Sequence, residues 1–391
     1  MSRTMTLPSD GDRTAQDLKR EELALLRDVI ESGTLGSNRG TQVKAFERAF
    51  AARYGVSHAR AVSAGTAAVH TAIAAIDPEP GDEIITTTVT DMGAIAPILF
   101  QQAIPIFADV DPVTLNLTPE TVAARITPRT RAIIVTHLFG NPCNVAEIAR
   151  LATARGIPVI EDCGQAYLAT QNGQLAGTIG RVGVFSLQQG RHITTGEGGA
   201  MITNRQDVYE LAIDVHDCAG SVRRGAGLPR FPGWNFRASE LQGAVARVQL
   251  SKLDGLLARM RENHAELSER VGALPGLTLR RRNDDGGDAG ICLIAFTGTA
   301  AEAAESVAAL RDEGVAAMRI YDPDVVDLHV YPYWQPVLDA VAAAGRPLPD
   351  CPRTLDLVSR TIHVDVSPLC DEQDIEEIAN AFKKVASAVT A

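Results

Sequence analysis

From residue 60 to about residue 217 the chain alternates short apolar runs with amphipathic segments, and no other feature restricts its fold so tightly. Apolar runs fall at 60–63, 82–87, 103–109, 131–138, 156–162, 182–187 and 199–204, and helical spacing falls at 66–77, 93–102, 118–126, 144–155 and 205–217. A run such as RAIIVTHL has no polar face, so a strand made of it must be covered on both sides. Helices crossing over a mostly parallel sheet provide that cover, which predicts an α/β domain. Two helical segments precede it, EELALLRDVIES and TQVKAFERAFAARYG, with Val43, Phe46 and Phe50 on one stripe and the turn-forming GTLGSNRG between them.

A long helical stretch, 238–272, follows and is long enough to bridge two units. After the polar loop 280–290, the segments ICLIAFTG, AAEAAESVAALRDEGV, TIHVDVS and EQDIEEIANAFKKVASAV predict a smaller C-terminal α/β domain. The expected division is a disordered arm over 1–14, a large domain over 15–255 and a small domain over 256–391. The polar start lacks the apolar core of a signal peptide, and no run approaches the roughly 18–20 apolar residues that span a bilayer, so a cytoplasmic protein is expected. A net charge of −11 argues against nucleic acid or an anionic membrane as a general partner. The six cysteines are scattered without ligand spacing, so no metal site is expected and most should be core thiols.

Ligands of open α/β sheets sit outside the carboxyl ends of strands. Three such ends carry suggestive residues. At SAGTAAVH the amides of Gly65, Thr66 and Ala67 open a helix and suit a phosphate; a plain turn with Thr66 as helix cap is equally open. At GIPVIEDCGQAY a buried strand ends in Glu161 and Asp162, with Gln165 shortly after. A carboxylate there needs a cationic partner, because an unpaired buried charge costs several kcal/mol; capping of the next helix is the alternative. At VGVFSLQQGRHITTGEGG, Ser186 ends a strand and glycines at 196, 198 and 199 permit a tight turn or a close approach to a ligand, as an ordinary hairpin also would.

Taken together, G-T at 65–66, E-D-x-x-Q-A at 161–166, F-S with T-x-G-E-G-G at 185–199 and G-x-N-x-R-x-S-E-L-Q at 233–242 make the chain resemble the DegT/StrS family of pyridoxal-phosphate-dependent sugar aminotransferases. The resemblance runs from about residue 30 to the end. It implies the aspartate-aminotransferase-like fold (fold type I) and a homodimer with active sites shared across the interface. It also implies a keto-sugar or keto-cyclitol substrate and an amino-acid donor such as glutamate or glutamine. Carried over, Asp162 would pair with the protonated pyridine nitrogen, and Gln165 would hydrogen-bond the ring hydroxyl. Gly65, Thr66 and Ser186 would bind the phosphate, with Asn235 reaching in from the other subunit. Arg237 is an anion-contact candidate, for which a structural salt bridge is an equal reading. His137 and Asn141 in THLFGNP match a family-like segment without an assigned role.

The family's Schiff-base lysine lies five residues after the phosphate-binding serine, and that position here is Arg191. Of 37 basic residues only five are lysine, at 19, 44, 252, 383 and 384, all outside the cofactor motifs. A guanidinium stays protonated to above about pH 12 and offers no neutral amine to an aldehyde. Arg191 is also a poor proton shuttle, and the adjacent His192 is the candidate base, since an unperturbed imidazole changes charge near neutrality. In a related branch, the keto-deoxysugar 3-dehydratases, histidine replaces the lysine and pyridoxamine phosphate is used without a covalent link. A second departure lies in ITTTVTDMGAIAP, where the family commonly stacks an aromatic ring and this chain has Asp91 and Met92; Asp91 becomes a substrate candidate.

Three readings follow. The chain is an aminotransferase-family protein whose lysine has been lost by design or by nature, with pyridoxal or pyridoxamine phosphate held non-covalently. Alternatively, it is a natural lysine-less enzyme for dehydration, epimerisation or another proton transfer with His192 as base. Or it is a catalytically silent dimer partner. The stretch MRIYDPDVVDLHVYPYW is expected to line the substrate pocket.

Overall fold

The computed structural model describes residues 18–389, so the arm expected over 1–14 lies outside the described residues. The large sheet is built from β1 (His58–Val62), β2 (Glu83–Thr87), β3 (Ile104–Ala108), β4 (Thr130–Thr136) and β5 (Val159–Asp162). A minor hairpin, β6 (Thr170–Gln171) and β7 (Gln174–Leu175), precedes its last two members, β8 (Val182–Ser186) and β9 (Gly199–Thr203). The spatial order is β1-β9-β8-β5-β4-β2-β3. Only β9 runs against its neighbours, so the carboxyl ends of the other six strands gather along one edge.

Alternate residues of the central strands face opposite helical layers. Ile84, Ile134 and Ile160 pack with the helix Gly65–Ile76, whereas Ile85, Ile133 and Val159 pack toward the helix Val145–Thr153. Both faces are dry, which is why these strands read as continuous apolar runs. The helical pattern at 93–102 breaks into a single turn, Met92–Ala94, and a short helix, Ala96–Phe100, because Pro97 supplies no amide hydrogen and fits only in a first turn.

The helix Glu240–Gly272 runs unbroken through residue 255 and is capped by Ser239, whose hydroxyl accepts the Gln242 amide hydrogen. Its first turn also organises the N-terminal layer: the Glu240 carboxylate accepts from the Gln42 and Val43 amides (2.6 and 3.1 Å), capping the helix Gln42–Tyr54. Its far end packs Leu267 and Val271 into the small domain, against Leu293, Ile375 and Phe382. That domain holds an antiparallel sheet, β10-β11-β13-β12, formed by β10 (Thr278–Leu279), β11 (Cys292–Phe296), β12 (Ala317–Met318) and β13 (Thr361–Asp365). Five of the six cysteines are buried and Cys218 is exposed. Among the described residues no helix is long and apolar enough to cross a membrane.

Candidate active site

The edge where the strand ends gather opens into a cavity of about 470 Å³. Its walls include Gly65, Thr66, Asp91, Asp162, Gln165, Ser186 and Arg191, so seven of the ten residues singled out from the sequence share one space.

At one end of the cavity, β1 leads into the helix Gly65–Ile76, whose first amide groups have no partner inside the helix. Gly65 is required there: a Cβ on it would lie 2.7 Å from Ser186 Cβ and 2.8 Å from Ser186 Oγ. The helix N-terminus, the Thr66 side chain and the Ser186 hydroxyl thus stand together, a donor set suited to a phosphate group. Tyr167 anchors the serine by donating its hydroxyl to the Ser186 carbonyl at 2.9 Å.

Also on the cavity wall, Asp162 ends β5. Burial pushes its carboxyl above the usual range, opposed by the Gly164 amide, which donates to Oδ1 at 3.0 Å, and by the Arg191 guanidinium. A cationic ring nitrogen would relieve that penalty. Gln165 uses Oε1 to accept from the Phe139 amide at 2.8 Å, so its Nε2 is the end left to donate to a ligand.

Asp162 stands over a deeper polar cluster. His137, Glu161 and Cys163 present ligand-type atoms within 4.8 Å of one another. Glu161 accepts from the amides of Gly177, Ile179 and Gly180 and from His137 Nε2 at 3.0 Å. His137 Nδ1 accepts from the Cys143 amide, and burial pushes the Cys163 thiol up to about 12. Every member is committed to the fold, which gives His137 a structural place. Asn141 likewise bridges segments, accepting from the Asn283 amide and donating to the Arg281 carbonyl.

At the mouth, the backbone of residues 329–331 bonds to that of 88–90 (Thr90 amide to His329 carbonyl, 2.9 Å; Tyr331 amide to Thr88 carbonyl, 3.1 Å) and delivers His329 to the cavity wall. His329 Nδ1 lies 2.6 Å from Asp327 and Nε2 3.5 Å from Asp91. These carboxylates raise the imidazole to about 9, and His329 in turn holds Asp91 below the usual carboxylate range. The sequence marked the segment around His329 but not the residue; no local pattern shows which of its side chains turns inward. Glu197 of T-T-G-E-G-G also reaches the cavity wall.

Three expected residues are elsewhere. His192 is buried, packs its ring on Tyr167 at 5.4 Å, and lines a separate pocket of about 20 Å³ with His363 and Asp365. Gln165 and Arg191 line both spaces. Asn235 is exposed and outside the cavity of its own chain, and Arg237 is ion-paired with Asp217 at 2.7 Å. The residues lining the cavity include no lysine.

The model of the DegT/DnrJ/EryC1/StrS aminotransferase family matches residues 16–383. The chain belongs to that family. As a DegT-family chain it is a member of a pyridoxal-phosphate-dependent aminotransferase group, with the type I fold described above. It is 29% identical over 381 residues to the spore coat polysaccharide biosynthesis protein SpsC of Bacillus subtilis (strain 168), covering 94% of each. Over 284 residues it is 34% identical to a putative L-glutamine:3-amino-2,3-dideoxy-scyllo-inosose aminotransferase of Streptoalloteichus tenebrarius, covering 71% of this chain and 66% of that one. A solved aminotransferase from Psychrobacter cryohalolentis superposes with a TM-score of 0.86 at 26% identity, covering 96% of this chain and 98% of that one.

Proposed function

We propose that this DegT-family chain binds a pyridoxal-type phosphate cofactor without a covalent bond and acts on a keto-sugar or keto-cyclitol, with an amino acid such as glutamate or glutamine as amino donor. The observation that carries the proposal is that Arg191 lines the cavity and none of the five lysines does; the reading that Arg191 takes the place of the Schiff-base lysine rests on the motif resemblance. Lys252, for instance, is held in the long helix by Glu22 at 2.7 Å. The substrate class rests on the relatives, one named for polysaccharide biosynthesis and one for an inosose.

The residues present fit such a cofactor. Gly65, Thr66 and Ser186 would hold its phosphate, Asp162 its ring nitrogen, and Gln165 its ring hydroxyl. When bound, the cofactor supplies an electron sink for the substrate carbon. The chain's part is to keep that ring protonated through Asp162, fix it from both ends, and present Asp91 and His329 to the substrate at the mouth. Arg191 serves as a guanidinium donor at the cavity wall, without a neutral amine to offer an aldehyde. His192 lines the neighbouring space, and Phe139, Gln165, Gly190 and Arg191 stand between it and a ligand in the main cavity, lining both. Asn235 is exposed beside an exposed Trp234, and Arg237, two residues on, is held by Asp217; we assign both to the neighbouring subunit's site in a homodimer.

Absorbance spectra of the protein with added pyridoxal phosphate, before and after borohydride, test this. The expected result is a shifted band that borohydride does not fix to the chain, whereas Arg191→Lys gives a yellow protein that borohydride labels at residue 191. No spectral change in the unaltered protein, or stoichiometric labelling of one of its own lysines, would overturn the proposal.

A further inference from the structure

Five arginines keep Nε buried and without an acceptor: Arg60, Arg181, Arg191, Arg346 and Arg360. Four of them are secured through their terminal nitrogens, Arg60 by Glu47, Arg181 by Asp207, Arg346 by Glu83 and Arg360 by Asp356. Arg191 differs. Among the described residues its side chain has no hydrogen bond or ion pair; it feels Asp162 and Asp91 only through space. Those carboxylates are engaged in part by others, Asp162 by the Gly164 amide and Asp91 by the Gly93 amide and His329. The cavity wall therefore presents a permanent cation with a buried N–H that lacks an acceptor.

A guanidinium carries five donors and no acceptor, so it is satisfied only by a ligand oxygen or another lone pair. Leaving a buried donor unmade costs about 1–3 kcal/mol, more when the group is charged. The two forms of a pyridoxal-type cofactor differ at one substituent. The aldehyde form carries a carbonyl oxygen there, beside the ring oxygen, and both accept hydrogen bonds. The amine form carries an ammonium group, which only donates and has the same sign as Arg191. In a partly enclosed space of about 470 Å³, that repulsion is weakly screened compared with bulk water.

We infer that Arg191 makes this cavity selective for the aldehyde form of the cofactor, pyridoxal phosphate, over the amine form, pyridoxamine phosphate. The inference rests on the proposed function, and it adds that position 191 is a reader of the cofactor's state.

Calorimetric titration of the full-length protein with pyridoxal phosphate, pyridoxamine phosphate and 4′-deoxypyridoxine phosphate, whose methyl group neither accepts nor carries charge, separates the possibilities. Borohydride treatment and mass analysis of the pyridoxal sample establish that binding is non-covalent. Pyridoxal phosphate is expected to bind at least about tenfold tighter than pyridoxamine phosphate, with the methyl analogue between them. In Arg191→Gln, which removes the charge and adds an acceptor, the preference should vanish or reverse. Equal or tighter binding of pyridoxamine phosphate by the unaltered protein would overturn the inference and leave the proposed function standing. So would a preference unchanged in Arg191→Gln. Saturation by none of the three at millimolar concentration would overturn both.

Discussion

Asp162→Asn tests the centre of the site with two opposite signs. The carboxyl ends a strand buried on both faces, accepts one hydrogen bond from Gly164, and is pushed upward by burial. Its folded-state pKa therefore lies above its unfolded value. The unfolded chain loses this proton first as pH rises, so the group costs stability from the unfolded pKa upward, by about 1.4 kcal/mol for each unit of displacement once both states are ionised. An asparagine keeps the shape and the contact to Gly164 while removing that cost. Without cofactor, Asp162→Asn should unfold at higher urea than the parent at pH 7, and the difference should shrink toward pH 4. With cofactor the sign reverses. A charge-assisted hydrogen bond to the ring nitrogen is worth about 1.5–3 kcal/mol and a neutral one about 0.5–1.5 kcal/mol, so the variant should lose roughly 1–2 kcal/mol of affinity, or about 5- to 30-fold. Denaturation across pH and titration with pyridoxal phosphate read the two effects separately. A variant that is less stable without cofactor and binds it as tightly as the parent would refute the assignment of Asp162 as the ring partner.

Two further perturbations probe the supports of the site. Gly65→Ala drives a methyl group to 2.7 Å from Ser186 Cβ, so cofactor-phosphate affinity should fall by at least about tenfold while far-ultraviolet circular dichroism is unchanged, since alanine favours the helix itself; unchanged binding would remove the cradle from the phosphate site. Glu161→Gln sets an amide against three backbone donors and His137, and should cost on the order of 3 kcal/mol in urea denaturation, with loss of cofactor binding following from the displaced end of β5. A stable Glu161→Gln variant would show that the carboxylate is not what holds the loop over 177–180.

Much of the fold was legible because its signals are local. Every strand of the large sheet lies within a few residues of an apolar run, since burial on both faces leaves no polar alternation to confuse it. Where the pattern misled, at 93–102, a single proline divided what spacing alone reads as one helix. The seven cavity residues were legible for a related reason: each sits at a strand end, on the loop directly after it or in the first turn of the helix that follows, and a parallel sheet brings such ends to one edge.

By itself, the sequence determined the alternation of strand and helix and the order of the motifs, and with the family resemblance it raised the expectation that Arg191 stands in the lysine's place. What it left undecided is which way a side chain turns in a loop. Arg191 and His192 are neighbours in the chain, yet the Tyr167 ring takes the histidine into a second pocket, while the guanidinium remains at the wall of the main cavity. His329 reaches the same cavity only because two backbone hydrogen bonds tie its segment to the loop after β2. Such choices depend on contacts between distant parts of the chain, which exist only once the chain has packed.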